Sequence, residues 1–164
     1  MLNRLALSIV LMCGSATAFA DPTADCESDN PELAVKGCTQ LIQRNSRNAY
    51  AYAGRGIAHG TMGEADRAIA DFSRAIEIDP RYTVAYASRG LAYLNKKDFD
   101  RAIADYTKAI SLDPKSADSY SGRAEAYEMK GDKDRAIADY RRALAIDSTD
   151  QDSKDALKRL GIQR

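Results

Sequence analysis

From about residue 30 onward, apolar residues return at intervals of three and four, the spacing that lines one face of an α-helix. The pattern also recurs as a block. Ala68-Ile69-Ala70-Asp71-Phe72 comes back as Ala102-Ile103-Ala104-Asp105-Tyr106 and again as Ala136-Ile137-Ala138-Asp139-Tyr140, so the period is constant. Three units, 49–82, 83–116 and 117–150, align without gaps. Each reads as a pair of helices. Gly63 and Gly131 can take the left-handed conformation that closes a first helix, and Lys97 in their place predicts a turn in the middle unit that is slightly strained or differently shaped. Pro80 and Pro114 stop the second helix, with Ser148 standing there in the third unit. A lone hairpin of this size cannot bury its apolar face, but stacked neighbours can, so the pattern predicts an all-α solenoid.

The flanks keep the register. Ala34-Val35 stand one period before Ala68-Ile69, and Cys38 falls where later units place Phe72, Tyr106 and Tyr140. Residues 21–48 therefore read as an extended N-terminal segment plus the second helix of a partial repeat, over 31–43. At the other end, 151–164 reads as a C-terminal capping helix, with Lys154, Asp155, Lys158 and Arg159 on its solvent side.

Residues 1–20 follow another rule. A short start with one positive charge leads into an apolar run over 5–12 and ends in Ala18-Phe19-Ala20. That is the form of a secretory signal peptide, with cleavage expected after Ala20. The run is shorter than the roughly 20 residues that span a bilayer, which weighs against a retained anchor and against stable membrane insertion once the signal is gone. Periplasmic or secreted localisation follows. Cys26 and Cys38 then remain in an oxidising compartment, an even pair that favours a disulfide. The alternative, a redox or metal pair, lacks a further thiol or a nearby His.

Charge narrows the function. Lys plus Arg number 24 and Asp plus Glu number 24, and no run of like basic charges shows, which argues against nucleic-acid binding. The single histidine, His59, has no nucleophile or ligand set spaced around it, so no catalytic residue, metal or cofactor is expected and His59 is read as packing.

Residues 49–150 resemble the tetratricopeptide repeat family. Tyr52, Tyr86 and Tyr120 match its early aromatic, Gly56, Gly90 and Ala124 its small residue, and His59, Tyr93 and Tyr127 its later aromatic position. Ala68, Ala102 and Ala136, then Phe72, Tyr106 and Tyr140, then Ala75, Ala109 and Ala143 match the second helix. The resemblance implies a right-handed superhelix whose first helices line a concave groove. It places groove residues at Tyr50, Ala53, Ile57 and Gly60, at Val84, Ala87, Leu91 and Leu94, and at Asp118, Ser121, Glu125 and Glu128. The groove should be apolar over two units and acidic over the third. Family members that hold the acidic tails of chaperones use a clamp of Lys, Asn and Arg; Ala53, Ile57 and Ser88 stand at such places here.

Arg55, Arg89 and Arg123 occupy a place where the family usually has Leu, each at the same separation from a following Asp: Asp71, Asp105 and Asp139. They read as ion pairs within each unit; the alternative is an arginine ladder gripping acidic ligand groups. The function expected is a non-catalytic interaction scaffold holding a peptide or protein segment with apolar and basic residues. The alternative is a self-associating structural component of the cell envelope, the apolar strip being covered by a second copy or by residues 21–30.

Overall fold

The computed structural model describes residues 21–162, so the expected signal peptide lies outside the described residues. The described residues form nine α-helices in chain order, α1 (Pro22–Cys26), α2 (Pro31–Arg44), α3 (Ala49–Thr61), α4 (Ala65–Ile78), α5 (Thr83–Asn95), α6 (Phe99–Leu112), α7 (Ala117–Met129), α8 (Lys133–Ile146) and α9 (Gln151–Arg159). Each packs on its sequence neighbour, and the hairpins α3–α4, α5–α6 and α7–α8 repeat one geometry. Among the described residues no helix is long and apolar enough to cross a membrane.

Local chemistry sets the ends. Asn30, Asn48, Asp98, Ser116, Asp132 and Asp150 each accept a hydrogen bond from a first-turn backbone N–H of the helix they precede. Second helices end on Asp79, Asp113 and Asp147, just ahead of Pro80, Pro114 and Ser148. Gly63 and Gly131 turn at φ 77° and 87°, and Lys97 turns at φ 60° in the same place. The middle hairpin thus makes the left-handed turn with a residue that has a Cβ, against steric preference.

Alanine and glycine let the helices approach. Ala51, Ala68, Ala75, Ala85, Ala102, Ala109, Ala124, Ala136 and Ala143 are fully buried. The aromatic ring of each second helix lies over a small residue of the first. A Cβ on Gly56 would fall 2.8 Å from the Phe72 ring, and one on Gly90 would fall 3.2 Å from Tyr106. No longer side chain fits where helix axes run about 8–10 Å apart.

The N-terminal segment differs from expectation. It is helical as α1, since Asp21 caps it and Pro22 suits a first helical position. The Cys26 and Cys38 sulfurs are bonded to each other above Gly54 of α3. This segment closes the end of the stack and meets the first helices at α3, where its last residues border Gly54 and Tyr50.

Candidate functional site

The first helices α3, α5 and α7 and then α9 stand side by side along one face. α9 keeps their register, since Asp152, Asp155 and Arg159 lie one period after Asp118, Ser121 and Glu125. A cleft of about 1010 Å³ opens over α5, α7 and α9. Val84, Ala87 and Leu91 form its apolar wall; Asp113, Asp118, Glu125, Glu128, Asp152 and Asp155 bring carboxylates, against Arg159 as the single cation. A smaller cavity of about 380 Å³ sits between the α1–α2 turn, Tyr50, Ile57 and Tyr82. There the Tyr50 hydroxyl donates to Glu27 at 2.9 Å.

The expected groove residues divide into two sets. Tyr50, Ile57, Val84 and Leu91 form an exposed apolar row, Ile57 at 49% and Leu91 at 50% exposure. Asp118 and Glu125 continue that row, Ala87 and Ser121 lie half-buried beneath it, and Gly60 is exposed. Leu94 departs from expectation, being 7% exposed and part of the core, while Ala53, 1% exposed, is also core but lies at the floor of the smaller cavity beside Tyr50 and Ile57. Ala53 packs with Ala68, Phe72 and Ala85, and Leu94 with Ala102, Tyr106 and Ala126. Their sequence places turn them toward the next hairpin, where apolar burial wins.

Glu128 also departs from expectation, since it is not a free acid. It accepts from Arg159 through both oxygens at 3.0 Å and from the Tyr140 hydroxyl at 2.9 Å. These bonds, the Arg159 one foremost, hold its carboxyl below the usual range. Arg159 and Asp155 therefore face the groove, not the outer side expected for α9. Glu125 is the opposite case. Desolvation in the cleft pushes its carboxyl up, and Glu128 and Asp152 add to that while Arg159 opposes.

Arg55, Arg89 and Arg123 are absorbed by the scaffold. Each guanidinium donates through Nε and Nη2 to both oxygens of its own unit's Asp71, Asp105 or Asp139, at 2.7–2.9 Å. The third nitrogen reaches back to the preceding unit: Arg55 to Thr39 at 3.2 Å, Arg89 to Ser73 at 2.9 Å and Arg123 to Thr107 at 3.0 Å. The hydroxyl link escaped sequence reasoning, although Thr39, Ser73 and Thr107 also recur with the period of the repeat. In α9 the series stops: Leu157 takes the arginine place and is buried against Tyr140.

His59 is buried at the α3–α4 turn. Its Nδ1 lies 2.6 Å from Glu64 Oε2, and its Nε2 lies 3.9 Å from Asp71. The later units put Tyr93 and Tyr127 there, each with an arginine over its ring, Arg101 and Arg135, at 4.5 Å. His59 thus joins its turn through a hydrogen bond to Glu64 where the others use a cation over a ring. Among the described residues no group of three or more His, Cys, Asp or Glu side chains is arranged to hold a metal ion.

Tetratricopeptide repeat models match residues 49–82 and 88–151, together more than half of the chain. The chain belongs to the tetratricopeptide repeat family. Among solved structures it is similar to MamA at 29% identity, over 77% of this chain and 74% of that one, with a TM-score of 0.72. It is similar to the Arabidopsis OM64 TPR domain at 28% identity, over 68% of this chain and 93% of that one, TM-score 0.67. The first TPR of Spaghetti (RPAP3), bound to HSP90 peptide SRMEEVD, matches at 25% identity over 71% of this chain and 93% of that one, TM-score 0.69. No curated protein shows significant similarity to the chain. A tetratricopeptide solenoid of this kind is a protein-interaction scaffold.

Proposed function

We propose that this repeat protein works outside the cytoplasm as a binding scaffold, holding an extended segment of a partner protein along α3, α5, α7 and α9. The observation that carries the reading is the row Ile57, Val84 and Leu91, about half exposed on adjacent first helices and continuous with the cleft. Because each is still about half exposed, covering it recovers about 1 kcal/mol per residue, roughly half the full-burial value. Peptide binding in a relative of the same fold, the RPAP3 domain with its HSP90 peptide, supports the mode of use.

Export is supported by the signal-like form of residues 1–20 and by two cysteines placed to bond. A disulfide across this loop adds about 3 kcal/mol and fixes α1 over the open end of the stack. Thiol titration of protein isolated from its native host checks this: no free thiol in residues 21–164 is expected, and two free thiols would refute it.

The groove is tested with a photo-crosslinker at Leu91 in mature protein, applied to an envelope extract. One enriched foreign protein, lost on Leu91→Asp, is the expected result. Crosslinks only to a second copy of the bait would replace the peptide reading with self-association.

A further inference from the structure

The cleft contains a polar group left without a partner. Tyr106 is 4% exposed, yet it lines the cleft beside Gly122. A Cβ on Gly122 would lie 2.7 Å from its hydroxyl oxygen, so only glycine leaves that oxygen room. The equivalent tyrosine one unit later, Tyr140, donates to Glu128. The place of Glu128 in the middle unit is taken by Leu94, which cannot accept. Among the described residues nothing hydrogen-bonds the Tyr106 hydroxyl; the ring is buried while the hydroxyl opens into the cleft, where solvent or a ligand group can meet it.

The charges around it share one sign. Six carboxylates line the cleft against Arg159 alone, and Arg159 is already engaged with Glu128. Asp118, Glu125 and Asp152 make no side-chain ion pair with any described residue. An acidic tail would meet these carboxylates directly, and like charges at close range disfavour such a ligand. Val84 and Leu91 stand on the opposite wall.

We infer that the cleft is a subsite for a lysine or arginine side chain of the partner segment, set next to apolar residues of the same segment. It rests on the groove reading above and deepens it. The cation enters beside Glu125, with Asp152 of α9 next to it and Asp118 about two turns further along α7 adding to the negative field. A main-chain carbonyl of the segment accepts from the Tyr106 hydroxyl, and the apolar residues cover Leu91 and Val84. First helices spaced on the order of 10 Å apart correspond to about three residues of extended chain. The segment therefore carries its cation about three residues from the apolar side chain that covers Leu91. Its charge is opposite to that of the HSP90 peptide SRMEEVD held by the RPAP3 domain.

The test selects a random twelve-residue peptide library displayed on phage against the mature protein. Enriched peptides, made synthetically, are then measured by fluorescence anisotropy. Peptides with Lys or Arg about three residues from an apolar position are expected. Their affinity should fall about tenfold in Asp118→Asn/Glu125→Gln and about threefold in Tyr106→Phe, and weaken with added salt. All these changes keep side-chain volume, and Asp118 and Glu125 are exposed, so the fold is retained. Enriched peptides that lack a cation, or that bind Asp118→Asn/Glu125→Gln undiminished, would overturn the cationic subsite. If those peptides still lose binding on Leu91→Asp, the groove reading stands without it. No enrichment, or binding indifferent to Leu91→Asp, would overturn both.

Discussion

Replacing Arg89 by alanine tests the interior network at its centre. Asp105, 7% exposed, would keep its charge and lose both donors, and Ser73 would lose the bond that ties the first unit to the second. Stranding one member of a buried pair costs about 3–5 kcal/mol. The Arg89 side chain is about one-fifth exposed, so water reaches the site in part and the lower end, about 3 kcal/mol, applies. A chain of about 140 folded residues has an unfolding entropy near 0.3 kcal/mol per kelvin, so the melting temperature should fall by about 10 °C. Far-UV circular dichroism on heating, with urea titration alongside, measures it. The comparison variant is Arg89→Leu/Asp105→Leu. Leucine fits the arginine place, because Leu157 fills it in α9. Removing both charges at similar volume should return stability to within about 1 kcal/mol of the parent. A single variant that melts within about 2 °C of the parent would show that the pair contributes no net stability and that Asp105 is rehydrated at little cost.

Four further outcomes are expected. Lys97→Gly should raise stability by about 0.5–1 kcal/mol, the relief of a left-handed residue exceeding the chain entropy glycine adds, measured by urea unfolding. Gly122→Ala should cost about 1–3 kcal/mol by forcing the Tyr106 ring aside. Gly60→Ala, whose Cβ meets nothing nearer than 4.0 Å, should be neutral or stabilising in the same assay. Arg159→Gln should cost about 0.5–1 kcal/mol at neutral pH, the arginine being largely exposed. Because the pair lowers the Glu128 carboxyl from 4.5, its contribution is full above that value and is lost as pH falls through the folded-state value, so parent and variant stabilities should converge in acid.

Period and small-residue spacing carried the fold. The alanines that recur once per unit read as contact points because nothing longer fits between packed helices, and they are buried as such. The odd turn at Lys97 was legible because the flanking units place glycine there, but whether it is strained or differently shaped was decided only by its left-handed backbone. The groove was legible only to the level of a row. A family position states which face a residue occupies, not how deep it sits; depth depends on neighbours a whole unit away. Thus Leu94 turned inward against Ala126. Glu128 was neutralised by Arg159 of α9, a partner that helical periodicity within one unit does not identify. Residues 21–30 read as extended from their place before the repeats; Asp21 followed by Pro22 is a helix-start signal that corrects this.

The departures from the repeat carry the specific chemistry. Where units agree, as in the arginine–aspartate pairs, the residues hold the scaffold and are spent on one another. Where they disagree, a group is released toward the groove. Leu94 in the place of Glu128 frees the Tyr106 hydroxyl, while Phe72 in the first unit has none to offer. Asp118 and Glu125 in the places of Val84 and Leu91 change an apolar row into an acidic one within a single helix spacing. Leu157 in the arginine place lets α9 dock by apolar contact, and that docking leaves Asp152, Asp155 and Arg159 lining the cleft. A solenoid built from near-identical hairpins would present a uniform groove. In this one the unlike residues at like positions give the groove an apolar end and an acidic end, and so a direction for whatever lies in it.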